Sequence, residues 1–506
     1  MNCLAGCFIS GLIGAGTIAP AHAAEPKLVV GIVVDQLRSD YIENFRGLFG
    51  EKGFNRLLRD GVYLRDVDFK VKDLDAVSST AILFSGSYPR HNGVTASKVY
   101  DENRRQFINA LEDKNVIGNF TTETFSPVNL RVSTLSDEIS SKGREKAAVY
   151  SIAPDAQQSV IMAGHAGTSA FWINENTGNW ATTTYYLNSP QILTQRNYTN
   201  GIGSRLDAMP YSFPKSDRNV YKMYSVSPMV NEEVTDAAIE YIEKLGLGKR
   251  QDGTDMLNLA YTAAQYEYGD GSPEQLIDGY KRLDDQLGRL FETLDRTVGT
   301  ENVVVFLSST GYFEDQTPYA PELRIPTGTF SVKRAFSLLN SFLSARFGNG
   351  AYVETFGNNH VYLNHKTIEE KGLDAGRVAE EARDFLVKMS GVSDAFTMAD
   401  IMTSALPSME ARRLAVDPKT SGDIIIEFNP GWVVSDDLSF PADTKLVRES
   451  PVLSPAFILS PALEPQVIEE KTDATAIAPT LASILRIRSP NGSRSQPLKL
   501  KAVKSN

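Results

Sequence analysis

Residues 27–35 (KLVVGIVVD) constrain the fold more than any other stretch of the chain. The run is apolar almost without interruption and ends on an acid, so neither of its faces can be left in water. That pattern belongs to a strand buried on both sides in a parallel sheet, delivering its last residue to the C-terminal edge. Residues 302–308 (NVVVFLS) have the same character, and 146–152 and 256–263 are strand-like. Helical patterns occupy 39–49, 53–60, 77–86, 230–245 and 272–294. Residues 77–86 open with small hydroxylic side chains, as helix N-termini do, and 230–245 carry acids early and lysine late, which suits the helix dipole. Strand and helix in this rhythm imply an α/β fold with a mostly parallel central sheet and helices on both faces. Residues 167–225, rich in Trp, Tyr, Thr and Asn, break the rhythm and are expected to form an inserted cap over one end of the sheet.

With 42% hydrophobic and 22% charged residues in 506, the composition is that of an ordinary globular protein. A net charge of −11 without a basic cluster argues against a nucleic-acid partner, because phosphate backbones are held by grouped Lys and Arg. Residues 1–23 contain no charged side chain and end in Ala21-His22-Ala23. Glycines interrupt the apolar stretch, so it is expected to be a signal peptide and not a transmembrane span. The mature chain would be 24–506, in the periplasm or secreted. Both cysteines, Cys3 and Cys7, fall in that segment, which leaves the mature chain without disulfide or thiolate chemistry. Leu4-Ala5-Gly6-Cys7 has the look of a lipidation box. The apolar stretch follows Cys7 instead of preceding it, which speaks against lipidation there.

Six blocks carry a family resemblance: GIVVDQLRSDYIENF, GFNRLLRDGVYLRDV, TAILFSGSYPRHNGV, RLDDQLGRLFETLD, VVVFLSSTGY and AIAPTLASILRIRSPNGSRSQPL. In this order they resemble the alkaline phosphatase superfamily. The branch is that of the periplasmic bacterial enzymes with a threonine nucleophile, relatives of the nucleotide pyrophosphatase/phosphodiesterases. The resemblance implies a pair of zinc ions on Asp and His ligands that activate the threonine and stabilise the phosphoryl transition state. It assigns the first aspartate ligand to Asp35 and the nucleophile to Ala76, which has no oxygen to phosphorylate. It places further metal ligands at Thr262, Tyr266, Thr310, Gly311 and Leu453, and phosphate contacts at Ser97, Asp155 and Gln157. None of these side chains matches the role. Only five histidines exist, His22, His91, His165, His360 and His365, and none falls on a ligand position.

Asp35 is therefore read as a vestigial ligand or as a cap on the following helix. No zinc is expected, since one carboxylate cannot supply the three or four donors it needs. Ser78, Ser79 and Thr80 are candidate displaced nucleophiles. Asp73, Asp75, Glu314 and Asp315 with Asp35 are a candidate oxygen-rich site for Ca²⁺ or Mg²⁺. Trp172, Trp180, Tyr185 and Tyr186 would either line a groove or bury the insertion against the sheet. The function expected is that of a binding or regulatory pseudoenzyme, with an unidentified small ligand or protein partner. The alternative is an active phosphoric ester hydrolase with a rebuilt metal site and a displaced Ser/Thr nucleophile.

Overall fold

The computed structural model describes residues 25–143, 147–186, 191–199, 201–206, 219–250, 253–264, 266, 272–314, 325–438, 443–448 and 452–503. The expected signal segment 1–23, with Cys3, Cys7 and His22, lies outside them, as does Asp315.

A ten-stranded sheet forms the body. At its centre is β1 (Leu28–Asp35), buried at every position but the last. On the same sheet lie β2 (Val149–Ala153), β3 (Asp255–Thr262) and β4 (Val303–Ser309). β1 is flanked by β3 and β4, both parallel to it, and β3 is followed by β2, also parallel. The outer strands Ala456–Leu459 and Trp180–Thr183 join antiparallel. Strand alternation divides β1 between two cores. Leu28, Val30, Ile32 and Val34 face one, and Val29 and Val33 face the other.

The first core is closed by α3 (Val230–Leu245) and α4 (Pro273–Thr297), through Tyr241, Ile242, Leu283, Leu287 and Phe291. The second is closed by α1 (Ala76–Ser85) and α2 (Ala156–Ala163), through Ile82, Phe84, Val160 and Ile161. Each fully buried Val, Leu or Ile contributes about 1.5–3 kcal/mol, and β1 supplies six such residues, Leu28, Val29, Val30, Ile32, Val33 and Val34. The doubly covered α/β sheet expected from the sequence is present.

Segment 167–225 divides between two roles. Ser169–Ile173 and Trp180–Thr183 are strands of the main sheet, and the helices Ile192–Thr199 and Ile202–Leu206 follow. Trp172 and Trp180 are wholly buried, their indole N–H groups donating to Glu123 and Glu233 at 2.9 Å. Tyr186 is buried too, and Tyr185 donates to the His165 carbonyl. These aromatics build the edge of the sheet.

The part that stands apart from the sheet is a later lobe with its own core, including Phe330, Leu339, Val361, Ile424, Ile426 and Phe428. It is made of a four-stranded and a three-stranded sheet with helix Val332–Phe347. Arg105–Glu354 at 2.5 Å, Lys72–Glu427 at 3.2 Å and Lys445–Asp73 at 3.5 Å tie the lobe to the body. Between the two lies a cleft of about 860 Å³, whose walls include Asp75, Ser97, Tyr312, Glu314 and His360.

Candidate functional site

The parallel strands end together, and their C-terminal edge is where open α/β sheets place ligands. Asp35 closes β1 and lies in register with Thr262, the last residue of β3. The amide of Ala263 donates to the Asp35 carbonyl at 2.8 Å. On the other flank Thr310 follows β4, its amide donating to the Val34 carbonyl at 3.2 Å. Ala76 begins α1. Gln158 joins that helix to the edge, its Nε2 donating to Asp35 Oδ1 and to Thr80 Oγ1, each at 3.2 Å. Leu453 adjoins through its carbonyl, which accepts from the amide of Ser39 at 2.9 Å. Asp35, Ala76, Thr262 and Thr310 thus gather at one edge, with Leu453 beside it. Tyr266 is engaged elsewhere, its hydroxyl donating to Asp278 on α4 at 2.9 Å.

Two helices point their N-termini toward this edge, and each is capped by the chain's own carboxylate. Asp75 caps α1, accepting from the amide of Ser78 at 2.8 Å and from the amide of Ser97 at 2.5 Å. Asp155 caps α2, accepting from the amide of Gln158 at 2.8 Å. Gln157 braces the same region, donating to the Ser97 carbonyl at 3.0 Å and accepting from the amide of Leu111 at 3.1 Å. Free helix N-terminal amides make a ready anion site. Here internal aspartates already take that place.

The hydroxyls near Ala76 are enclosed, and two of the three are engaged in hydrogen bonds. Ser78, Ser79 and Thr80 are all wholly buried. Ser78 Oγ accepts from the Asp75 amide at 3.2 Å, completing a capping box, and donates to Asp75 Oδ1 at 2.8 Å, while Thr80 donates to the Ala76 carbonyl at 2.7 Å. Ser79 Oγ is buried without a partner.

Gly311 has φ +67°, and a Cβ built there would lie 2.4 Å from Cδ2 and Cε2 of Phe69. The ring of Phe69, itself buried, fills the space in front of that backbone. Thr262 Oγ1 accepts from the amide of Ala264 at 3.1 Å. Thr310 Oγ1 lies close enough to draw the Asp35 pKa down somewhat. It forms no well-shaped hydrogen bond to that carboxyl, however, and is buried with no partner.

Burial raises Asp35 from 3.8 to about 7, with Asp155 and Asp75 adding repulsion and Thr310 and Gln158 opposing it. Asp155 is pushed up to about 6, first by the protein mass crowded around it and then by Glu123 and Asp75. The folded Asp35 holds its proton up to about pH 7, whereas the unfolded group loses it near 3.8. Folding stability therefore falls as pH climbs through that window. Asp35→Asn removes the titration, at about 1.4 kcal/mol per pKa unit before allowance for the solvent that reaches the group. Relative to the unsubstituted protein, the variant is expected to gain on the order of 2 kcal/mol more at pH 8 than at pH 4. Chemical denaturation at the two pH values measures this, and an equal gain at both would contradict it.

The remaining acids and histidines serve the structure. Asp73 pairs with Lys445, and Glu314 accepts from the Tyr312 hydroxyl. Among the described residues no group of three or more His, Cys, Asp or Glu is arranged to hold a metal ion. His165 sits between Asp137 and the Leu130 carbonyl, at 3.1 and 2.9 Å. His360 Nδ1 accepts from the amide of Gly422 at 3.1 Å, and burial lowers its pKa to about 4. His365 pairs with Asp423 at 2.8 Å. Burial lowers the pKa of His91, beside Arg494 and Arg90.

Sequence reasoning did not single out Gln158, Phe69 or the cap made by Asp75. The cap has a readable signal, an Asp three residues ahead of Ser78 at the start of a helix. The other two are tertiary contacts with no local pattern.

Residues 29–448 match the family described as type I phosphodiesterase / nucleotide pyrophosphatase. The chain belongs to that family. Alkaline phosphatase PafA of Elizabethkingia meningoseptica is 28% identical, over 97% of this chain and 96% of PafA. A protein of Myroides odoratus described as a calcium-transporting ATPase is 27% identical over 97% of both chains. The crystal structure of wild-type PafA superposes with a TM-score of 0.82 at 26% identity, covering 94% of this chain and 98% of that one. A PafA variant with one threonine, one asparagine, one lysine and one arginine replaced matches with the same TM-score at 25% identity and the same coverage. The fold is thus that of a PafA-like alkaline phosphatase. No helix among the described residues is long and apolar enough to cross a membrane.

Proposed function

We propose that this chain is an exported, non-hydrolytic member of the alkaline phosphatase superfamily that acts by binding a small ligand or a protein partner at the former catalytic edge. The observation that carries this reading is the filled space at Gly311, where the resemblance expects a histidine ligand and Phe69 leaves no room for a side chain. A zinc ion needs three or four nitrogen, sulfur or oxygen donors. Asp35, Thr262, Tyr266, Thr310, Gly311 and Leu453 provide one carboxylate, two hydroxyls, a phenol already engaged and two residues without a donor side chain. That set does not fit a zinc pair.

The residue transfers draw support from spacing. The threonine and asparagine replaced in the PafA variant are separated by as many residues as Ala76 and Ser97, and its lysine and arginine by as many as Asp155 and Gln157. A cation has given way to Asp155 at a point where a phosphate would sit. The rival reading, a hydrolase with a displaced hydroxyl, would require Ser78, Ser79 or Thr80 to meet substrate. All three are enclosed. Export rests on residues 1–23 and on relatives that are alkaline phosphatases.

The test is to supply the purified full chain with excess Zn²⁺, remove the excess and measure bound metal alongside p-nitrophenyl phosphate turnover. Less than a tenth of an equivalent of zinc and a rate equal to the buffer blank are expected. Stoichiometric zinc together with zinc-dependent turnover would overturn the proposal.

A further inference from the structure

We propose that Asn349 is a site of covalent self-modification, losing its carboxamide by spontaneous deamidation in the folded protein, while the Asn-Gly pairs at Asn92 and Asn491 are protected. The chain contains four such pairs, at Asn92, Asn200, Asn349 and Asn491, of which Asn200 lies outside the described residues. Glycine has no Cβ to screen its nitrogen, so that nitrogen can reach the carboxamide carbon of the residue before it. The backbone nitrogen of Gly350 gives up its proton and bonds to Asn349 Cγ. The Cγ–Nδ2 bond breaks, and the departing nitrogen takes up a proton and leaves as ammonia. Water then opens the succinimide at either carbonyl, giving aspartate or isoaspartate.

The fold treats the three described pairs differently. Asn92 is wholly buried, its Nδ2 donating to the Ser87 carbonyl at 2.7 Å and its Oδ1 accepting from the amide of Val94 at 2.8 Å. The nitrogen that would attack there, that of Gly93, is itself bound to the Pro89 carbonyl at 2.8 Å. Asn491 Oδ1 accepts from the amide of Ser133 at 2.9 Å, and Ser133 Oγ accepts from the amide of Asn491 at 2.9 Å. Asn349 is exposed in the turn after helix Val332–Phe347. Among the described residues neither its carboxamide nor the Gly350 amide makes a hydrogen bond. The turn is pinned on both sides of the pair, by Tyr352 Oη donating to the Gly348 carbonyl at 2.8 Å and Ser344 Oγ donating to the Gly350 carbonyl at 2.7 Å. Packing favours a glycine after Asn349, because a Cβ at position 350 would lie 2.9 Å from Lys371 Cε and 3.2 Å from the Tyr352 ring. The susceptible pair is thereby built into the lobe, and no residue of this turn is among the cleft walls.

The experiment incubates the full chain in mildly alkaline buffer, digests it under acidic conditions and maps the peptides by mass. The Asn349 peptide is expected to gain the mass of one deamidation at least tenfold faster than the Asn92 and Asn491 peptides. It should also accept methyl groups from an isoaspartyl methyltransferase, which marks the isoaspartate product. In the same buffer with denaturing urea the three rates should converge, because only the fold separates them. Equal rates at the three sites in the folded chain, an Asn349 peptide that stays unmodified there, or a tenfold spread that persists in urea would each overturn the inference.

Discussion

An Ala76→Thr variant is expected to hydrolyse p-nitrophenyl phosphate no faster than buffer, with or without added zinc. Phosphate-monoester hydrolysis is among the slowest uncatalysed reactions, and its enzymes lower the barrier by more than about 20 kcal/mol. Nearly all of that comes from positioning and charge stabilisation. A threonine at position 76 would restore a hydroxyl at the first turn of α1. It would bring neither the base nor the metal that makes such a hydroxyl nucleophilic near neutral pH.

The charges at the edge oppose the reaction as well. A like charge 4 Å away costs about 4 kcal/mol at an effective dielectric of 20. Asp155 stands where the resemblance expects a cation, so the sign of one main contact is reversed. Adding Ser97→Asn, Asp155→Lys and Gln157→Arg to Ala76→Thr repairs the phosphate contacts, but the metal ligands are still missing. That quadruple variant is expected to bind inorganic phosphate more tightly than the parent and to remain without turnover. Following nitrophenolate release in metal-supplemented buffer is sufficient, and a zinc-dependent rate above the blank in either variant would contradict the argument.

The parts of this site that follow from local pattern were legible in the sequence. The run ending at Asp35 could only be a doubly buried strand, and β3 and β4 showed the same apolar character. Their ends consequently meet, and Asp35 is paired in register with Thr262. The hydroxyl-rich start of α1 likewise signalled a helix N-terminus. What escaped is set by contacts distant along the chain. The later lobe is built from short strands such as Ile424–Phe428, which is buried at alternate positions, and the pairings of Val353–Gly357 and Val392–Thr397 carry register shifts. Periodicity over so few residues is a weak signal. Trp172 and Trp180 had two open readings in the sequence, and only the partners of their indole N–H groups, Glu123 and Glu233, decide between them. The placement of Phe69 against Gly311 could not be read at all, because nothing in either local sequence refers to the other.

That last contact makes Gly311→His the most informative substitution for the fold. Two costs add. The backbone at φ +67° is left-handed, which penalises a side chain by about 1–2 kcal/mol. An imidazole must also displace the ring of Phe69, and overpacking of a buried site costs about 1–3 kcal/mol. The variant is therefore expected to lose about 2–5 kcal/mol of unfolding free energy, read as a lower denaturant midpoint with an unchanged slope. Phe69→Ala alone should cost about 3–5 kcal/mol through lost burial and the cavity left behind. In the double variant the imidazole enters that cavity, so the combined loss should fall short of the sum by at least about 1 kcal/mol, the mark of residues that share a space. The double variant introduces a single nitrogen donor beside Thr310, and with Asp35 that makes two ligands, still too few for stable zinc. Were Gly311→His neutral, or its effect simply additive with Phe69→Ala, the space would be free and the site could still admit a metal-binding histidine.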